Sequence, residues 1–122
     1  MKKLLLVTVI LFLPAVAWLL RVGYFPMHDD LQAMRQLELD KCFSDLQLPC
    51  RWVPDMGYSY GYPLFNFYPP LPYYIGQGIH WLGFSFTGTV KVLGILVFAA
   101  SSVTMFLLAS EFFAPLGGVL AA

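Results

Sequence analysis

Val90-Lys91-Val92-Leu93-Gly94-Ile95-Leu96-Val97-Phe98-Ala99-Ala100-Ser101-Ser102-Val103-Thr104-Met105-Phe106-Leu107-Leu108-Ala109 is the stretch that decides the architecture. A bilayer core needs about 20 consecutive apolar residues. This run supplies them with one charge, Lys91, placed where its stem can snorkel to the headgroups. Gly94, Ala99, Ala100, Ser101, Ser102 and Thr104 permit close helix packing, although such residues are also ordinary in any span. We expect a transmembrane helix over residues 88–110. Glu111 marks its exit, and a tight inner turn is expected from residue 112 to 116. Gly117-Gly118-Val119-Leu120-Ala121-Ala122 then reads as the start of a third span in a truncated chain.

Residues 4–20 form a second apolar run, interrupted only by Thr8 and Pro14. With its flanks, residues 1–21, it reads as the first transmembrane helix, at the short end of the roughly 17–25 residues a span uses. Pro14 can kink it, which membrane helices tolerate. Lys2 and Lys3 favour a cytoplasmic amino terminus, while Arg21 at the far end opposes that bias. Lys2-Lys3 with Ala15-Val16-Ala17 also fits a cleaved secretory signal. Both readings export the residues after Arg21.

Composition supports lipid as the solvent. Hydrophobic residues make up 59% and charged residues 11% of 122, against roughly 25% charged in soluble domains. Net charge is zero, and six of the seven acids and four of the seven bases fall between Arg21 and Tyr60. No basic patch suggests nucleic acid. The fold class is therefore an all-α membrane protein: two transmembrane helices plus the start of a third, with an exported loop carrying short juxtamembrane helices.

The loop, residues 22–70, opens with Gly23-Tyr24-Phe25-Pro26-Met27, which is unsuited to helix. From residue 31 to about 46 good helix formers dominate. Asp29 is placed as N-cap, with Gln32 in the capping-box position. Pro49-Cys50-Arg51-Trp52-Val53-Pro54-Asp55 reads as extended or turning. Gly57 to Leu71 is a Gly- and Pro-punctuated run dense in Tyr and Phe. It suits the covering of a sugar or lipid face, or an interfacial aromatic belt. Pro72 fits the first turn of a helix over residues 71–83, too short to span and expected along the outer membrane surface.

Candidate chemistry centres on His28-Asp29-Asp30. Adjacent carboxylates outside a membrane can ligate a divalent cation such as Mg or Mn, or act as general base. The structural alternative is helix capping. Arg51 suits bidentate contact with a phosphate; its alternative is an ion pair with Asp55 or Asp45. Cys42 and Cys50 lie in the exported loop, where an oxidising compartment allows a disulfide worth about 2–3 kcal/mol; the alternative is two buried thiols. His80 and Glu111 read as interfacial residues. No phosphate loop, nucleotide fold or nucleophile triad appears.

The order of motifs is informative: an amino-terminal span, Pro26-x-x-Asp29-Asp30, Arg35, a helix, Pro49, a glycine-aromatic stretch, and Tyr68-Pro69-Pro70-Leu71 before a surface helix. It resembles the start of a GT-C type glycosyltransferase, the superfamily of protein O-mannosyltransferases and lipid A aminoarabinose transferases. His28-Asp29-Asp30-Leu31, Cys50 to Asp55 and Gly61 to Leu71 resemble, more specifically, a bacterial group labelled membrane proteins with a 6-pyruvoyl-tetrahydropterin synthase-related domain. Pterin chemistry is set aside, because the soluble synthase uses several zinc-binding histidines and only His28 and His80 occur here. The acidic pair is Asp-Asp where the transferases often carry Asp-Glu, and Tyr68 stands where they often carry Lys.

The resemblance implies a protein of the bacterial cytoplasmic membrane with residues 22–88 outside the cytoplasm. It implies a glycosyltransferase of cell-envelope assembly with a polyprenyl-phosphate sugar donor, active only as a longer chain. Asp29 and Asp30 are then the expected catalytic or metal-binding pair. His28, Arg51, Trp52, Tyr62 and Tyr68 are the expected substrate contacts. The competing expectation is a non-catalytic scaffold, or an envelope lipid or polysaccharide transport component, in which the acids only cap a helix.

Overall fold

The computed structural model describes residues 2–24 and 29–122 and is all-α, with six helical elements among them. These are α1 (Lys2–Val16), a 3-10 turn (Ala17–Leu20), α2 (Gln32–Ser44), α3 (Leu64–Phe67), α4 (Leu71–Trp81) and α5 (Phe86–Ala121). The chain divides into two compact units. One comprises residues 1–23 and 94–122, the other residues 24–93.

In the first unit, α1 contains Pro14, which has no N–H to give to the preceding turn. The helix tightens into the 3-10 turn three residues beyond it, at Ala17. Trp18 Nε1 donates to the Ala15 carbonyl at 2.8 Å, and Thr8 Oγ1 returns to the Leu4 carbonyl at 3.1 Å. The apolar segment here, Leu6–Leu20, is the shorter of the two apolar helices. One helical segment among the described residues, Phe86–Phe113 (28 residues), is long and apolar enough to cross a membrane. It begins two residues before the expected residue 88 because Ser85 caps it: Ser85 Oγ accepts the Gly88 N–H at 3.1 Å.

Helical backbone continues through α5 to Ala121, yet Ser102 Oγ donates to the Ala122 carbonyl at 3.2 Å, 20 residues on. A straight helix would separate those residues by about 30 Å, so the chain doubles back. A Cβ on Gly118 would meet the Phe106 carbonyl oxygen at 2.7 Å. The missing side chain thus lets the returning limb lie against the outgoing one, and the reversal falls between Ser110 and Gly118.

The second unit is built on α2 against α4. Its apolar core is Leu39, Cys42, Cys50, Val53, Leu64, Phe65 and Tyr73, flanked by Phe43, Met56 and Tyr74. A disulfide joins Cys42 to Cys50. α2 ends in a Schellman motif: Gln47 N–H reaches the Cys42 carbonyl at 2.8 Å and Leu46 N–H the Phe43 carbonyl at 3.1 Å. Leu46 takes the left-handed position at φ 56°. Val53 and Tyr62 form one antiparallel bridge, with both N–H···O distances 2.9 Å. It pinches off a turn in which Gly57, Tyr58, Ser59 and Gly61 all have positive φ. Pro69 and Pro70 end α3, Pro72 sits in the first turn of α4, and Gly83 at φ 99° closes it.

α2 is polar, and its polar side chains face inward. Gln36 Nε2 donates to the Tyr73 carbonyl at 3.1 Å and to Gln77 Oε1 at 3.0 Å. Gln77 Nε2 donates to Asp40 Oδ1 at 2.5 Å. Gln32, Gln36 and Asp40 recur every four residues on α2 and meet Tyr73 and Gln77, four apart on α4. This polar zipper satisfies groups whose burial would otherwise destabilise the unit. Gly76 makes the close approach possible, because a Cβ there would collide with the Gln36 side-chain oxygen.

Candidate functional site

The expected capping box does not begin α2. Leu31 is the N-cap and no side chain caps it. Gln32 turns away from Asp29, across to α4, where its Oε1 accepts the Tyr73 hydroxyl at 2.6 Å. Asp29 Oδ1 accepts the Leu31 N–H at 3.2 Å, closing a local turn before the helix. Its Oδ2 meets Arg35 Nη1 at 2.5 Å.

Arg35 is the centre of the site. It lies on the inward stripe of α2 with Leu39 and Cys42, four and seven residues on, and is only 4% exposed. Its guanidinium carbon sits 4.1 Å from the centre of the Tyr68 ring, a cation–π contact strengthened by exclusion of water. Burial works against its charge, but the hydrogen bonds with Asp29 and Tyr73 prevail and leave its pKa above the usual value. Burial also raises the Tyr73 hydroxyl, with Arg35 opposing. Arg35 Nε is buried and has no hydrogen-bond partner among the described residues.

The site therefore holds a carboxylate at a fixed place on the edge of a buried cation and an aromatic ring. The Asp29 side chain is 34% exposed. Each carboxylate oxygen has two lone pairs, so the group can accept a further hydroxyl from solvent or ligand while it stays clamped.

Of the residues expected from sequence, Asp29 and Tyr68 are brought together through Arg35. Asp30 faces elsewhere, its Oδ1 3.0 Å from the Tyr24 hydroxyl. His28 lies outside the described residues. No group of three or more His, Cys, Asp or Glu that could hold a metal occurs among the described residues. The Trp52 indole lies directly over Gly61, and Tyr62, next in sequence, pairs by its backbone with Val53. Arg51 is exposed. The ion pair weighed for it with Asp55 is not formed, because Asp55 pairs with Lys41.

Lys41 also lies 3.6 Å from Glu38 Oε1. Glu38 is fully buried, with Oε2 accepting the Asp55 N–H at 3.4 Å. Burial raises its pKa, and Lys41 opposes.

Arg35, Gln32 and Tyr73 are not among the candidates read from sequence. The available signal is an arginine within the 35–39–42 inward spacing of a helix, where a surface cation does not belong. No family model, no curated protein and no solved structure matches the chain.

Proposed function

We propose that the chain is the amino-terminal part of a GT-C type membrane glycosyltransferase that draws on a polyprenyl-phosphate-linked sugar in cell-envelope assembly. Residues 1–21 and 88–110 cross the bacterial cytoplasmic membrane, a third span begins near the end of the sequence, and residues 22–88 lie outside. The observation that carries the reading is the Asp29–Arg35–Tyr68 cluster. It is a carboxylate clamped at 2.5 Å by a buried guanidinium that rests on an aromatic ring, immediately before Pro69-Pro70-Leu71 and α4. In this role Asp29 is general base or metal ligand. Arg51 meets the donor phosphate, and Trp52, Tyr62 and Tyr68 shape the pocket.

A second reading is favoured by one fact: both Asp29 oxygens already have partners inside the protein. In that reading the acids organise the start of α2 in a non-catalytic envelope scaffold or transport component. Transfer of labelled sugar by membranes bearing the full-length protein separates the two. Asp29→Asn combined with Asp30→Asn abolishes transfer if the first reading holds. Transfer unchanged in that variant removes the pair from the mechanism, and binding of the lipid-linked sugar without turnover supports the second reading.

A further inference from the structure

We infer that Tyr73, oriented by Gln32, is a positioning residue for Asp29: its hydroxyl fixes the rotation of the Arg35 guanidinium, and the guanidinium in turn aims the Asp29 carboxylate. The kinetic consequence rests on the transferase reading, in which Asp29 does chemistry.

The need for a second hold on Arg35 follows from the first two. Arg35 carries its charge on a long, flexible stem, and Asp29 Oδ2 meets it at one nitrogen, Nη1. The guanidinium carbon sits over the Tyr68 ring, 4.1 Å from its centre. The attraction of a cation to a ring face is broad. It resists lifting of the cation off the ring and hardly resists turning of the cation above it. A planar fork held at one corner and one face can still swing, and its carboxylate partner swings with it. Nε adds no hold, since it has no hydrogen-bond partner among the described residues. The hydrogen bond between Arg35 and the Tyr73 hydroxyl supplies the missing fixed point.

That bond has a direction, and Gln32 sets it. A guanidinium only donates, so Tyr73 must offer it a lone pair. A phenol has one proton, and here the Tyr73 hydroxyl donates it to Gln32 Oε1 at 2.6 Å. The lone pairs of the Tyr73 oxygen are thereby left for Arg35. Gln32 and Arg35 stand three residues apart on α2, so one hydroxyl from α4 can serve both. The Tyr73 ring is held independently of its oxygen. It is 8% exposed, meets Phe65 edge-on with ring centres 5.4 Å apart, and its backbone carbonyl receives Gln36 Nε2 at 3.1 Å. Tyr73→Phe therefore removes the hydroxyl and leaves the packing of α2 on α4 in place.

The test uses the full-length protein and two readouts. The first needs no substrate: solid-state NMR in lipid vesicles with nitrogen-labelled arginine, in which the Arg35 signals are those lost in Arg35→Lys. Two resolved Nη signals are expected in the wild type, where rotation is restricted, and one merged signal in Tyr73→Phe. The second readout is transfer kinetics in membranes supplied in parallel with undecaprenyl-phosphate-linked, radiolabelled glucose, mannose or aminoarabinose. Displacing a reacting group by about 1 Å costs on the order of 100-fold in rate. Tyr73→Phe should accordingly lower kcat by about 10–100-fold with KM nearly unchanged. Gln32→Leu, which keeps Tyr73 but removes the acceptor of its proton, should reproduce the loss. Gln32→Glu, which keeps an acceptor oxygen, should restore most of the rate. Unchanged Nη signals in Tyr73→Phe overturn the inference. So does an unchanged kcat in Tyr73→Phe when Asp29→Asn is inactive, a result that spares the transferase reading. A rise in KM together with a lowered unfolding midpoint assigns Tyr73 a merely structural role and also overturns it. Failure of the reading itself looks different: transfer that survives Asp29→Asn, or that the wild type does not catalyse from any of the three donors, rejects Asp29 as the reacting group and the inference with it.

Discussion

Replacing Gln77 with leucine tests whether the polar zipper, and not apolar burial alone, holds α2 to α4. Gln77 is fully buried, receives Gln36 Nε2 at 3.0 Å and donates to Asp40 at 2.5 Å. Leucine has nearly the same volume, so no large cavity opens. The bond to a carboxylate contributes about 1.5–3 kcal/mol and the neutral amide pair about 0.5–1.5 kcal/mol. Gln36 keeps its bond to the Tyr73 carbonyl, and Asp40, only partly buried, regains water. Leucine burial returns about 1.5–3 kcal/mol. The net expected loss is about 1 kcal/mol, up to about 3 kcal/mol where the packing does not relax. The midpoint of thermal unfolding, followed by Trp52 and Trp81 emission in detergent, should fall by about 4–8 °C per kcal/mol for a unit of this size. The sharper measurement is a double-mutant cycle with Asp40→Leu, where contacting residues couple by about 0.5–3 kcal/mol. A coupling energy indistinguishable from zero would refute the zipper as an energetic feature, even if each single variant were destabilised.

Glu38 gives a pH dependence with a definite sign. Its folded pKa lies above the ordinary 4.5, so the native state holds the proton more tightly than the unfolded chain. The associated stability is complete below the unfolded pKa and is lost as pH rises through the folded value. Glu38→Gln should flatten that fall in unfolding midpoint between mildly acidic and neutral pH; an unchanged slope assigns it to other groups. Gly76 and Gly78 form a matched pair on α4. Gly76→Ala drives a methyl into Gln36 and to within 3.2 Å of Thr89 and should cost about 1–3 kcal/mol. Gly78→Ala, with nothing within 4 Å, should stabilise by about 0.5–1 kcal/mol. Opposite shifts in the same unfolding assay are expected, and equal shifts would mean that α2 does not approach α4 as described.

The helices of the second unit are readable because their signals are local. Helix formers mark α2, while Pro72 and the residue after Leu82 bracket α4. The start of α5 carries a readable cap in Ser85, but the apolar run by itself points to a boundary at Val90. Pairing is not readable in the same way. Gln32, a good capping-box residue by position, bonds instead to Tyr73, 41 residues away, and no local rule reports such a partner. Arg35 illustrates the same limit. Its composition class says surface, its spacing says interior, and only the arrival of Asp29, Tyr68 and Tyr73 decides between them. Asp29 and Asp30, adjacent in sequence, look like one site, yet their side chains take different partners.

The indole lying on Gly61 has a consequence for how this region can vary. At that position any other residue is rejected twice, once by the backbone at φ 82° and once by Trp52. Nearby in the same turn, Tyr60 stands 88% exposed and touches little that would penalise exchange, whereas Tyr58, 97% exposed, is held at φ 57° and favours residues that tolerate the left-handed region. Saturation mutagenesis read out by the abundance of folded protein should therefore draw a jagged profile across this short hairpin: near-total intolerance at Gly61, selectivity at Tyr58 and broad permissiveness at Tyr60. The side chain at Tyr60 is thus open to reshaping, while the glycine beneath the tryptophan is locked.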